Sequence, residues 1–153
     1  MANVGIVAAY SGPTRRAEAA VNDTVLTVVG NLASDVRYRV ATTGTRLASF
    51  RLAANSRRFD KAAGEWVDTG TSFYTVTCWR QLADHVRDSC SKGQPVIVVG
   101  RLRVRDWEHE GRSGTAVEID ALAVGHDLSR GTATFARSAR TGVAGAGEEP
   151  AAA

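Results

Sequence analysis

The sequence predicts a small all-β domain with one helix, its strands closed into a five-stranded barrel with the helix between the third and fourth. Three observations predict it. Period-two alternation of apolar and polar residues recurs in five separated stretches. Helical spacing occurs convincingly once, where Leu82, Val86 and Cys90 form a narrow apolar stripe before Gly93. Gly30 interrupts the first β-branched run, as a bend at a barrel corner requires.

Residues 1–21 are rich in Ala, Gly, Ser and Arg without periodicity, and are expected to form a poorly ordered extension. The fold begins near Asn22-Asp23. Thr24 to Leu32 is the first strand, a second extended piece follows at Val36 to Val40, and Thr43-Gly44-Thr45 is a turn. From Arg46 to Asn55, alternation sets Ala48, Phe50 and Leu52 toward the core, with Leu47, Ser49 and Arg51 opposite. Ser56 to Gly64 reads as a polar, glycine-ended loop. It carries Phe59 among Arg57, Arg58 and Lys61. An aromatic flanked by three cations is a poor core residue and a good platform for a nucleobase.

Trp66 to Trp79 contains the next strand, best formed from Phe73 onward. Tyr74, Val76 and Cys78 fall on its apolar face; Phe73, Thr75, Thr77 and Trp79 fall on the other. Two large aromatics sharing a face with threonines make an odd core composition, although packing on a neighbouring element is the alternative. Gln81 to Ser91 is the helix. Lys92 to Trp107 follows as a long strand, with Val96, Val98, Leu102 and Val104 turned inward. Arg101, Arg103, Arg105 and Trp107 turn outward, a row of guanidinium groups ending in an indole. Such a row is either a solvated face or an offer to a polyanion with stackable bases. Glu108 to Gly114 reads as a hairpin loop, and Thr115 to Val124 as a final strand with Val117, Ile119 and Ala121 on one face. Strands in this order around one helix are the arrangement of an OB-fold barrel, which closes its own edges.

Composition bounds the function. At 153 residues, with 44% hydrophobic and 23% charged content, the chain can build one ordinary core plus a tail. A net charge of +3, largely an arginine excess, is compatible with nucleic acid without requiring it. No apolar run approaches the roughly 20 residues of a membrane helix. The short Val4–Ala9 run precedes Arg15 and Arg16, the reverse of a secretory signal, so a cytoplasmic protein is expected. Cys78 and Cys90 have no companion ligand pairs and read as small buried hydrophobes. His85, His109 and His126 lack metal spacing, and no glycine-rich phosphate loop precedes the helix, so no cofactor is expected and an enzyme is the weakest reading.

The motifs resemble the bacterial single-stranded DNA-binding protein family over roughly residues 22–125, within an OB-fold domain expected at 22–126. The resemblance rests on Val29-Gly30-Asn31-Leu32, Phe50-Arg51-Leu52-Ala53, Gln81-Leu82-Ala83, Lys92-Gly93, Val99-Gly100-Arg101-Leu102 and Arg105-Asp106-Trp107. It implies sequence-tolerant binding of single-stranded DNA, with bases stacked on Phe59, Phe73, Trp79 and Trp107. Phosphates would be tracked by Arg57, Arg58, Lys61, Arg80, Arg101, Arg103 and Arg105. It also implies a homotetramer with subunit contacts at the first strand and at Tyr74. Residues 127–140, which include the weak alternation Gly131 to Arg137, resemble the extra strand with which some actinobacterial members clamp a neighbouring subunit. Residues 141–153 form a short tail ending Gly147-Glu148-Glu149-Pro150-Ala151-Ala152-Ala153. It lacks the apolar acidic tip through which typical members recruit repair and replication enzymes, and so resembles that of a short-tailed paralogue. Two other readings stand beside DNA coating: an oligomeric OB-fold docking platform, and an RNA-binding OB domain.

Overall fold

Alternation decides which side chains meet. Ala48, Phe50 and Leu52 from one stretch and Val76 and Cys78 from another are fully or almost fully buried, because period-two spacing turns each set to the same side of a sheet. The structure, a computed structural model, describes residues 23–139. Its elements in chain order are β1 (Val25–Leu32), β2 (Arg37–Val40), β3 (Arg46–Asp60), β4 (Glu65–Trp79), α1 (Gln81–Ser89), β5 (Pro95–His109) and β6 (Arg112–His126).

The strands form one six-stranded sheet in the order β1-β5-β6-β4-β3-β2, and β1 also pairs with β3. Asn31 and Leu32 lie opposite Ala53 and Leu52, so the pairing returns to the strand where it began. Gly30 makes that return possible. A Cβ there would stand 2.4 Å from the Ala53 carbonyl oxygen, a backbone atom that cannot step aside. Inside the ring lie Leu26, Val28, Leu32, Val96, Val98 and Ile119, and the Ala83, Val86 and Cys90 stripe of the helical segment packs on them.

Side chains also fix α1 to the sheet. The Tyr38 hydroxyl donates to Asp84 at 2.8 Å, Arg46 pairs with the same carboxylate, and the Arg87 guanidinium lies 4.3 Å from the Tyr38 ring centroid. The hydrogen bond to Asp84 holds the Tyr38 phenol above its ordinary pKa.

Four expectations are corrected. The sheet has six strands rather than five, and the helix follows the fourth rather than the third. The reason is that the piece after Val36 pairs with β3, Arg37 opposite Ser49 through Val40 opposite Arg46. The loop expected at Ser56 to Gly64 is mostly strand: β3 runs to Asp60, opposite Glu65, across a bulge at Ser56/Arg57. Ladder bonds there satisfy polar backbone that composition alone reads as loop. The hairpin loop expected at Glu108 to Gly114 shrinks to Glu110-Gly111, with φ of 50° and 78°, because His109 already pairs with Arg112. Val104, assigned inward, is exposed, because β5 and β6 run past the core as a two-stranded ribbon.

Residues 131–139 form neither helix nor strand, although Gln81 at the start of α1 donates to Ser138 at 3.3 Å. The N-terminal extension and the short tail lie outside the described residues.

Candidate nucleic-acid interface

The outward face of β4 is the axis of the site. Phe73 and Trp79 stand on it with Thr75 and Thr77 between, while Val76 and Cys78 fill the core behind. Phe73 is 49% exposed, Trp79 41%, Trp107 46%, Phe59 46% and Trp66 59%. A folded chain that leaves five large rings half in water has surface suited to a partner with flat apolar faces. Trp66 sits opposite Phe59 near the tip of the β3–β4 hairpin. The two rings meet edge to face, with centroids 5.6 Å apart at 69°. Trp107 is opposite Gly114, where a Cβ would come within 2.7 Å of the indole. The ring therefore lies across bare glycine backbone.

Charged side chains flank β4 on both sides. On β3, Arg51 lies opposite Thr75 and donates to its hydroxyl at 3.3 Å, with its guanidinium 5.3 Å from the Phe73 ring centroid. On β6, which runs parallel to β4, Glu118 is beside Thr75 and Asp120 beside Thr77. One strand further, on β5, Arg103 is opposite Glu118 and Arg101 opposite Asp120.

The arginines of β5 are engaged. Arg101 meets Asp23 at 3.4 Å, Arg103 meets Asp120 at 2.5 Å and Arg105 meets Glu118 at 2.6 Å. Arg57 is paired with Asp68 at 3.1 Å, whereas Arg58 and Lys61 are exposed on the hairpin. Arg80, exposed beside Trp79, has φ 58° and ψ −126°, a conformation L residues rarely adopt, and its N–H donates to the Arg46 carbonyl at 2.8 Å. Tyr74 lies on the inward face of β4, half-buried against the core.

The fold thus brings Phe73 and Trp79 into one column, carries Phe59 out on a hairpin and places Trp107 on the β5–β6 ribbon. Four residues of this surface escape sequence reasoning: Arg51, Trp66, Glu118 and Asp120. The register that sets Arg51 beside Phe73, and the two acids between β4 and β5, depends on pairing across the fold. Trp66 had a local signal, being the mirror of Phe59 across a four-residue turn, legible only once the loop is read as strand.

Comparison with known proteins gives a consistent result. The model of the single-strand binding protein family matches residues 21–127. Single-stranded DNA-binding protein 2 of Streptomyces avermitilis is 51% identical over 126 residues, 82% of this chain and 79% of that protein. Single-stranded DNA-binding protein 1 of Streptomyces coelicolor is 46% identical over 121 residues, 79% of this chain and 77% of that one. Among solved structures, the small single-stranded DNA-binding protein of Streptomyces coelicolor superposes with a TM-score of 0.67 at 42% identity. That match covers 72% of this chain and 100% of that one. With the family's pattern spanning nearly the whole sheet, and relatives this similar over most of their own length, the chain belongs to the single-strand binding protein family.

Proposed function

We propose that this protein binds and protects single-stranded DNA without sequence preference, in replication, repair or recombination, and catalyses nothing. The observation that carries the reading is the pair of half-exposed rings, Phe73 and Trp79, on the outward face of β4. Every base presents a π-face, so stacking on Phe59, Phe73, Trp79 and Trp107 is tolerant of sequence and contributes about 1–3 kcal/mol per base. Trp66 joins them through its position opposite Phe59. Arg57, Arg58, Lys61, Arg80, Arg101, Arg103 and Arg105 take the phosphates, so affinity falls as salt rises.

The pairing of β1 with both β5 and β3 supports an OB-type barrel. A homotetramer is part of the same proposal. Val25 to Gly30 pair with β5 on one side only, Val29 is exposed between them, and the Thr27 hydroxyl is buried without a partner. A second copy laid along this edge would cover Val29 and bring polar backbone near Thr27. The uncovered part of Tyr74 contributes to a further subunit contact, and residues 127–139 reach across to a neighbour. No helix among the described residues is long and apolar enough to cross a membrane, and we place the protein in the cytoplasm with its DNA.

Fluorescence anisotropy with a labelled oligothymidine, against duplex DNA and RNA of equal length, tests the reading. Single-stranded DNA binds most tightly. A Trp79→Ala/Trp107→Ala variant with unchanged elution volume loses affinity at least about thirtyfold, as two lost stacks require. Equal binding of all three nucleic acids, or a variant as tight as the wild type, refutes it.

A further inference from the structure

Glu118 and Asp120 occupy a place that a simple phosphate-binding face would leave to cations. Both lie on β6 between the ring-bearing strand β4 and the arginine-bearing strand β5. Their side chains are only 24% and 22% exposed, so they are held in the sheet surface rather than trailing in solvent. Each accepts a guanidinium, Glu118 from Arg105 at 2.6 Å and Asp120 from Arg103 at 2.5 Å. A carboxylate offers the same two-oxygen edge to a guanidinium that a phosphate offers.

We propose that Glu118 and Asp120 are internal phosphate mimics that weaken the grip on a single strand and keep it exchangeable. The proposal rests on the single-stranded DNA reading and adds acidic residues that oppose it. A phosphate arriving at β5 does not meet a free cation. Arg103 or Arg105 must leave its carboxylate and turn its long side chain toward the strand. The carboxylate left behind is then a fixed negative charge close to the DNA backbone. Binding is therefore an exchange of one anion for another, and these arginines displace fewer counterions than unpaired ones would. The face holds enough charge to attract a strand and too little free charge to trap it.

The test is the pair Glu118→Gln and Asp120→Asn in the full chain, which keeps shape and one acceptor oxygen on each side chain while removing both charges. Asp35→Asn/Asp88→Asn, on the β1–β2 connection and on α1, gives the same change in net charge. Oligothymidine affinity is measured across a salt series. Expected for E118Q/D120N is an affinity about two- to thirtyfold tighter than wild type at low salt, the range over which two surface ion pairs are released. Its log affinity falls more steeply with log salt, by roughly 0.7 for each arginine freed to meet a phosphate. The control pair changes little. Arg103→Ala should also cost more affinity in the Asp120→Asn background than in wild type. Affinity that is unchanged or weaker in E118Q/D120N, or equally gained in the control, overturns the proposal. Failure of wild type itself to bind oligothymidine overturns the single-strand reading instead.

Discussion

Arg80 is the residue where local conformation and the proposed function conflict most openly. It joins β4 to α1 with φ 58°, on the side of backbone space where only glycine is at ease, and follows Trp79 directly in the chain. Strain of this kind costs on the order of 1–3 kcal/mol, and glycine in return loses more entropy on folding. Arg80→Gly should therefore raise stability in urea unfolding by roughly 1 kcal/mol while lowering affinity for single-stranded DNA. A loss of stability would mean that the side chain holds the junction. Cys78 is the opposite case, a residue made inert by its place. Burial, reinforced by neighbouring Cys90, pushes its thiol up to about 12. Above the thiol's ordinary range the unfolded chain releases this proton and the folded chain keeps it. Stability then falls with rising pH between roughly 9 and 12, by up to about 1.4 kcal/mol per unit. Cys78→Ala should flatten that alkaline limb in thermal unfolding, and native protein should resist thiol reagents at pH 8 until it unfolds.

At the scale of elements, the two long hairpins carry much of the site and were the least legible parts of the chain. The central strand segments are readable because one face of each is buried: Phe50 alternates with Ser49 and Arg51 and Val76 with Thr75 and Thr77, while Val96 and Val98 lie in an unbroken β-branched run that marks a strand by composition. Beyond the core that constraint lapses. Arg57 to Asp60 and Glu65 to Asp68 pair with each other, yet no buried face sets their pattern, so their composition looks like a loop. The same lapse exposes Val104. The acids beside the rings escape reading for another reason, since Glu118 meets Thr75 only through the parallel pairing of β6 with β4. The projecting hairpin makes a separable prediction. Trp66→Ala removes a half-exposed ring far from the core, so thermal stability should change by no more than about 0.5 kcal/mol. Oligothymidine affinity should fall roughly fivefold or more. A large destabilisation with affinity kept would assign the Phe59–Trp66 contact to folding instead.

For the whole molecule, the ring of pairings separates a continuous inner core from an outer face whose side chains are free to differ in role. β4 supplies both: Val76 and Cys78 inside, Phe73 and Trp79 outside. The same closure leaves part of the β1 edge open, which is where a second copy would be accommodated. Since the chain's three tryptophans, Trp66, Trp79 and Trp107, are all among the half-exposed rings, intrinsic emission reports almost solely on the proposed site. The direct test is therefore tryptophan emission during titration with unlabelled oligothymidine, run beside an anisotropy titration that establishes binding independently. Stacking predicts strong quenching that saturates together with the anisotropy and is reduced in the Trp79→Ala/Trp107→Ala variant. Saturated binding with unchanged emission would contradict the stacking account.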